Sequence, residues 1–289
     1  DRMKKYFKNI VIVVLFLAGF GLLIYPLAAN QWNSYRQNQL TSDYKAIVDK
    51  MEEEGTIKYE EEWEKANTYN ANLAPIILPD SFSIAESLMN PEREYNQCLN
   101  VTGDGMMGTV EIPKINVYLP IYHTTVKEVL EKGVGHLEGS SLPSGGENTH
   151  SVLSAHRGLP SATLFTDLDK LEIGDHFLLH ILDGTLCYEV DQILVVEPTE
   201  TEFLVVEDGK DYCTLLTCTP YGINTKRLLV RGSRIPYEEN VIEEEKQEVV
   251  TSLHTNYLLW VIVGLAVTFV AIIIMIFVSA RMPARRDRE

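Results

Sequence analysis

The sequence has few basic residues relative to acidic ones, few cysteines and none of the common metal-binding patterns. Its 289 residues carry 25 Lys and Arg against 41 Asp and Glu, a formal net charge of −16. Because phosphate contacts need a basic surface, this balance argues against a nucleic-acid partner. There is no HExxH motif, and the four cysteines lack CxxC spacing, so we predict no metal site and no cofactor. No internal repeat or low-complexity tract is present.

Two long apolar runs stand out, at residues 10–29 and 257–280. About 20 apolar residues suffice to cross a bilayer core as a helix, so each run predicts a transmembrane helix. Basic residues flank the outer ends of both runs, which places both termini in the cytoplasm and the rest of the chain outside the cell membrane. The first run could instead be a cleavable signal peptide, but Pro26 and Leu27 make a poor cleavage site, which favours a retained anchor.

The chain between these runs changes pattern several times. Apolar residues recur at helical spacing from Leu40 to Met51, Gly55 ends that pattern, and a second helix is predicted around Trp63. Aromatic residues on the apolar faces favour packing of these helices on a neighbouring domain over a role as a spacer. We predict a basic segment with a transmembrane helix at 1–29, a helical extension with an irregular segment at 30–100, a catalytic domain at 101–237, an acidic stalk at 238–256, a transmembrane helix at 257–280 and a basic cytoplasmic tail at 281–289.

From about Gly108 onward the pattern is typical of short strands. Many short strands with sparse helices predict a mainly β fold, either a closed barrel or a sandwich. Cys213 and Cys218 lie an odd number of residues apart, so their side chains should face opposite sides of one strand. We interpret Cys98, Cys187 and Cys213 as buried small residues and leave any disulfide open. Strands are predicted at 151–155, 176–182, 186–196, 213–217 and 228–231, and short helices at 126–132 and 163–171.

Three reactive side chains fall at the ends of predicted strands. Cys218 ends one strand, Arg227 begins the next across a short turn, and His156 ends an earlier strand. A thiolate can attack a carbonyl, an imidazolium can lower the pKa of the thiol and protonate a leaving amine, and a guanidinium can bind an oxyanion. A lone cysteine on a strand is more often a small buried residue, so the prediction of a catalytic site depends on all three groups.

The residues around these positions resemble the motifs of the sortase family. T-L-L-T-C, which ends at Cys218, is similar to the T-L-x-T-C signature, and L-S-A-H-R-G-L-P resembles the histidine motif. N-T-K-R-L-L-V-R-G is similar to the stretch that carries the arginine. The resemblance extends over residues 32–232 and is to class C, the pilin-polymerising sortases. It implies a closed eight-stranded sortase-type barrel, with Cys218, His156 and Arg227 as catalytic residues and His123 and Thr217 near the substrate groove.

The resemblance also implies a function and a lid. It implies a membrane-anchored cysteine transpeptidase that cleaves an LPxTG-like sorting signal between Thr and Gly through a thioacyl intermediate. A lysine amine of another pilin subunit would then accept the acyl group, which builds a pilus on a Gram-positive surface. The expected partners are sorting signals, the acceptor pilin lysine and membrane lipid through two transmembrane helices. The lid motif of the family is Asp-Pro-aromatic, and its nearest match is Asp80-Ser81-Phe82; serine in place of proline predicts a looser lid.

Several alternatives stay open at the level of the sequence. His150 shares a strand face with His156, and Arg231 shares one with Arg227. Residues 80–82 could belong to an ordinary connecting loop. The function could instead be that of a housekeeping sortase with a cell-wall amine as acceptor, a membrane-bound cysteine protease in which water resolves the acyl enzyme, or an inert assembly scaffold.

Overall fold

A computed structural model of the protein describes residues 2–73, 80–82, 92–238 and 263–264. The chain separates into two compact units, Asp1–Glu239 and Asn240–Glu289, and almost all described residues belong to the first unit. The α-helices are α1 at Arg2–Glu53, α2 at Tyr59–Ala71, α3 at Glu94–Gln97 and α4 at Lys127–Leu130, with 3-10 turns at Pro113–Ile115, Leu168–Lys170 and Glu202–Leu204.

Eight strands are present among the described residues: β1 at Met106–Ile112, β2 at Val117–His123, β3 at Val134–His136, β4 at Thr149–Ser154, β5 at His176–Ile181, β6 at Gly184–Val196, β7 at Asp211–Thr219 and β8 at Lys226–Ile235. They close into a barrel in the order β1-β2-β3-β4-β7-β8-β6-β5. This confirms the prediction of a mainly β, closed eight-stranded barrel with short helices. Strand β2 runs parallel to β3, β3 runs antiparallel to β4, and β4 runs parallel to β7. The carboxyl ends of β4 and β7 therefore lie at one end of the barrel, and the carboxyl end of β2 lies at the other.

The barrel interior is filled by alternate residues of each strand, as the two-residue period of a strand requires. On β7, Cys213 and Leu215 belong to the main core, whereas Leu216 belongs to a separate apolar cluster on the outer face. Cys213 and Cys218 thus face opposite sides of β7, as the sequence predicts. All four cysteines are free and buried.

The helical extension packs on the barrel and is not a mere spacer. Tyr44 of α1 donates a hydrogen bond to the Met107 carbonyl at 3.3 Å, and Trp63 of α2 donates one to Asp183 at 2.8 Å. Tyr44 is buried, as is Ala66 of α2, which is part of the main core. The prediction from the aromatic residues on these helices is therefore confirmed.

The prediction of a transmembrane helix at each end is wrong. Within the described ranges, none of the helices combines the length and the apolar content that a bilayer crossing needs. The apolar run at 10–29 does not form a helix of its own, because it is the first part of α1, which continues without a break into a polar segment that ends at Glu53. The run at 257–280 lies outside the described residues except for positions 263–264. The predicted contact with membrane lipid through two such helices consequently has no support.

The helix predicted at 163–171 is also largely absent. Only Leu168–Lys170 forms a 3-10 turn. The amide of Thr163 donates to Asn30 on α1 at 2.9 Å, and the amide of Phe165 donates to the His156 carbonyl at 3.1 Å. Because these amides have distant partners, the segment satisfies its backbone without helical hydrogen bonds.

Two buried histidines should make the fold sensitive to acid. Burial lowers the pKa of His136 to about 3 and that of His150 to about 4. Both groups protonate near pH ~6.5 in an unfolded chain, so below that pH the unfolded chain binds more protons than the folded one. We expect the free energy of unfolding to fall as the pH drops from about 6.5 to about 4, by at most about 1.4 kcal/mol per pH unit for each histidine.

Urea unfolding of the native protein and of His150→Asn between pH 7 and pH 4.5 would measure this effect. The side-chain amide nitrogen of asparagine takes the place of Nδ1, which contacts the Val205 carbonyl at 2.8 Å, and it does not titrate. The variant should show a shallower dependence of unfolding free energy on pH. Parallel curves for the two proteins would contradict the assignment.

Candidate active site

Strands β7 and β8 bring Cys218 and Arg227 side by side. The two residues are direct partners in the antiparallel ladder, at the end where β7 leaves the barrel and β8 enters it. Both side chains lie on the outer face, where the neighbouring positions Leu216 and Leu229 form an apolar cluster. Each residue is only 8% exposed. A thiol and a guanidinium therefore meet in a partly water-excluded position, as predicted from the short turn between them.

His156 reaches the same place from β4. The parallel ladder of β4 and β7 ends at Ser154 and Leu216, and the amide of Ala155 still donates to the Leu216 carbonyl at 3.2 Å. His156 follows Ala155 directly, so it lies next to β7 on the side of β4. The imidazole is therefore on the opposite side of Cys218 from Arg227, because β4 and β8 are the two neighbours of β7.

Residues 80–82 lie over this site. Asp80 binds Arg227 with two parallel hydrogen bonds, from Nε at 2.7 Å and from Nη2 at 2.8 Å. The ring of Phe82 lies 5.5 Å from the His156 ring, centroid to centroid, and 5.1 Å from the guanidinium carbon of Arg227. Phe82 also packs against the outer apolar cluster. Asp80 thus engages the arginine, and Phe82 covers the histidine.

Electrostatics at the site favour the uncharged forms of the thiol and the imidazole. Burial raises the pKa of the Cys218 thiol; the Arg227 guanidinium opposes this shift and the Asp80 carboxylate adds to it. Burial lowers the pKa of His156, and the carboxylate of Glu131 opposes that shift. The hydrogen bonds that Arg227 donates to Asp80 raise the pKa of Arg227, so the guanidinium remains charged. With residues 80–82 in place, burial and the Asp80 carboxylate both disfavour the thiolate, which is the nucleophilic form of the side chain.

The other candidates from the sequence lie elsewhere. His123 is at the opposite end of the barrel, where its ring nitrogens contact the carbonyls of Gly105 and Cys98, each at 2.9 Å. Thr217 is fully buried, and its hydroxyl donates to the Ala155 carbonyl at 2.8 Å, so it does not line a groove.

The two competing residues on the same strands are also engaged away from Cys218. His150 is at the start of β4 and contacts the Thr214 hydroxyl at 2.7 Å. Arg231 is four residues beyond Arg227 on β8 and donates to Asp191 at 3.0 Å. The structure therefore brings together Cys218, His156 and Arg227, and it separates them from these alternatives.

Sequence reasoning missed Arg157 and Glu131. The Arg157 guanidinium donates to the Thr219 hydroxyl at 3.2 Å, although its motif gives no sign of that partner. Glu131 follows α4 and belongs to a segment that no motif marked. In the part of the chain that the structure describes, no group of three or more His, Cys, Asp or Glu side chains is placed to hold a metal ion.

Comparison with known proteins gives consistent matches. Residues 110–235 match the family model described as "Sortase domain". The chain is 37% identical over 131 residues to Sortase D of Bacillus subtilis, a match that covers 44% of this chain and 63% of that protein, which is less than two thirds of its length.

Solved structures match over more of the chain. Sortase C of Streptococcus pneumoniae is 47% identical, with a TM-score of 0.62, and the match covers 69% of this chain and 97% of that one. Sortase C-1 of Actinomyces oris is 45% identical, with a TM-score of 0.59, and the match covers 62% of this chain and 98% of that one.

Proposed function

The chain belongs to the sortase family of cysteine transpeptidases, and on that premise we propose that it joins pilin subunits through an acyl-enzyme intermediate. The observation that carries the proposal is the convergence of Cys218, His156 and Arg227 at one end of the barrel, with β7 between β4 and β8. Sortases are cell-surface enzymes with an extracellular catalytic domain, and we place the reaction there.

Each of the three side chains has a chemical role that suits its position. The Cys218 thiolate attacks the Thr carbonyl of an LPxTG-like sorting signal, and the C–N bond to Gly breaks as a thioester forms. His156 protonates the departing amine and later takes a proton from the incoming one. Arg227 cannot act as a base, because it stays protonated, but its fork of N–H donors can bind the tetrahedral oxyanion.

We further propose that Asp80 and Phe82 form a lid that keeps the resting enzyme closed. Asp80 holds two of the N–H groups that the oxyanion would need, and Phe82 covers His156. The lid and the substrate therefore compete for the same donors. Opening the lid both frees Arg227 and removes a carboxylate that raises the pKa of Cys218.

We also propose that the acceptor of the acyl group is a lysine of a pilin subunit. It is supported by the likeness to class C enzymes, one of which was described together with its pilin substrate specificity. In this reaction the lysine amine of a second pilin subunit attacks the thioester, an isopeptide bond forms, and the Cys218 thiol is regenerated. A cell-wall amine or water could resolve the same intermediate, so the acceptor has to be tested separately from the acyl enzyme.

The test uses the full chain with an LPxTG peptide, followed by intact-mass spectrometry. We expect a mass increase equal to the peptide up to its Thr in an Asp80→Ala variant, and no increase when Cys218→Ala is added. Absence of the adduct in Asp80→Ala and also in Phe82→Ala would overturn the assignment for that motif.

A second measurement decides the acceptor. The acyl enzyme is offered a lysine-containing pilin peptide and, in parallel, a cell-wall-type amine. A ligated product with the pilin peptide supports pilus assembly. Ligation only to the cell-wall amine would favour the housekeeping role, and a hydrolysed peptide alone would favour a protease.

A further inference from the structure

His156 lies beyond the hydrogen-bonded part of β4. The ladder with β7 ends at Ser154, so regular strand pairing does not fix the position of the imidazole relative to the thiol. The His156 carbonyl accepts a hydrogen bond from the amide of Phe165 at 3.1 Å, which belongs to the following loop and not to β7. Cys218 and His156 must be held close together to act on the same substrate, so other contacts are needed to fix their relative position.

Two side-chain hydrogen bonds supply such contacts, one from the residue before Cys218 and one from the residue after it. Before Cys218, the Thr217 hydroxyl donates to the Ala155 carbonyl at 2.8 Å. After Cys218, the Thr219 hydroxyl accepts a hydrogen bond from Nη1 of Arg157 at 3.2 Å. The residues that flank the thiol in sequence are thus bonded to the residues that flank the imidazole.

Arg157 is itself held in place. Its Nη2 atom donates to the carboxylate of Asp169, which lies within the 3-10 turn at Leu168–Lys170, and its side chain is only 8% exposed. The guanidinium fork lets one side chain bind Thr219 and Asp169 at the same time, which the single ammonium of a lysine does less well. The charge of Arg157 is consequently balanced by Asp169. The hydrogen bond from Arg157 to Thr219 therefore acts mainly by fixing positions and not by adding positive charge near Cys218.

We propose that Arg157 is a positioning residue that keeps His156 in register with Cys218 by bridging Thr219 and Asp169. This inference rests on the proposed function, because it assumes that the two side chains act as a pair. It also assigns a role to Thr219, whose hydroxyl would be the anchor on β7.

The test compares Arg157→Gln, Thr219→Val and the double variant in an Asp80→Ala background. Arg231→Gln serves as the matched control, because Arg231 is also an arginine paired with a carboxylate, Asp191, with a side chain 14% exposed, but it does not contact the residues next to Cys218. We expect each single variant to lower the acylation kcat about tenfold while KM changes less than about threefold. The double variant should be no slower than the slower of the two single variants, because both changes break the same hydrogen bond between Arg157 and Thr219.

A readout without substrate separates this inference from the proposed function. An imidazolium held beside the thiolate lowers its pKa, so the pH midpoint of Cys218 alkylation should rise by roughly half a unit in Arg157→Gln and in Thr219→Val. Thr219→Ser keeps the hydroxyl and should retain the parent midpoint, as should Arg231→Gln.

Unchanged midpoints in both Arg157→Gln and Thr219→Val would overturn the proposal, as would additive losses in the double variant. A shifted midpoint in Arg157→Gln but not in Thr219→Val would also overturn it. That pattern would mean that the charge of Arg157 matters and its hydrogen bond to Thr219 does not. If no sorting peptide acylates the Asp80→Ala parent, the transpeptidase assignment fails, and the alkylation midpoints still decide whether Arg157 positions the pair.

Discussion

Arg227→Lys should lower the rate of acyl-enzyme formation by about 10²- to 10³-fold, the range found when a donor to an oxyanion is removed. Lysine keeps the positive charge at the edge of β8 but not the planar pair of N–H groups that Arg227 directs toward the Asp80 carboxylate. In the proposed mechanism those donors bind the tetrahedral oxyanion once Asp80 has released them. The loss should appear in kcat, because the interaction is made in the transition state.

The measurement has to separate the oxyanion from the lid. Arg227→Lys also weakens the bond to Asp80, which would by itself open the site and raise the rate. Rates are therefore compared in an Asp80→Ala background, with intact mass of the acyl enzyme as the readout. Arg231→Lys, on the same face of β8 with Asp191 as partner, is the matched control and should stay within about threefold of its parent. A loss below about tenfold in Arg227→Lys would argue against oxyanion binding.

Asp80→Ala should raise the rate of Cys218 alkylation by a small uncharged reagent by about 10- to 100-fold. Two effects act in the same direction. The variant removes both hydrogen bonds that hold the lid segment on Arg227, and it removes a carboxylate that raises the pKa of the thiol while Arg227, which lowers it, remains. The pH midpoint of alkylation should therefore also move to lower pH.

Asp191→Ala is the control for this experiment. Asp191 binds Arg231 through both carboxylate oxygens, at 3.0 and 3.2 Å, so its loss breaks a similar pair four residues along β8. It should leave the alkylation rate of Cys218 unchanged, and Cys218→Ala in each background corrects for the other three thiols. Equal rates in Asp80→Ala and in the native protein would mean that residues 80–82 do not restrain access.

Ser81 offers a change of opposite sign in the same assay. Its side chain is 1% exposed, and its hydroxyl has no hydrogen-bond partner among the residues that the structure describes. Burying an unsatisfied hydroxyl costs about 1–3 kcal/mol, which weakens the closed state. Ser81→Ala should therefore close the lid more firmly and slow alkylation.

Features with a short range along the chain could be predicted from the sequence. Strand alternation has a local period of two residues, which is why the barrel strands and the opposite facing of Cys213 and Cys218 were predictable. The pairing of Cys218 with Arg227 follows from one short turn between neighbouring antiparallel strands. These predictions need no knowledge of distant partners.

Predictions that depended on the tertiary arrangement differed from the structure. His123 matched a family turn, but β2 runs opposite to β4 and β7, so its carboxyl end lies away from Cys218. The apolar run at 10–29 suggested a spanning helix, yet composition alone does not tell where a helix ends, and α1 continues to Glu53. Thr217 belongs to the cysteine motif, but its side chain points into the barrel and anchors Ala155.

The sequence by itself determined the three candidate reactive groups and the strands at whose ends they lie, although β4 stops two residues before His156. Only the tertiary structure decided which residues act on those groups. Arg157 is 62 positions from Thr219, and Asp80 is 147 positions from Arg227. Such contacts are set by the closure of the barrel and by the position of residues 80–82 on it. A local pattern of polarity does not predict them, because polarity indicates whether a side chain is buried and not which distant side chain it contacts.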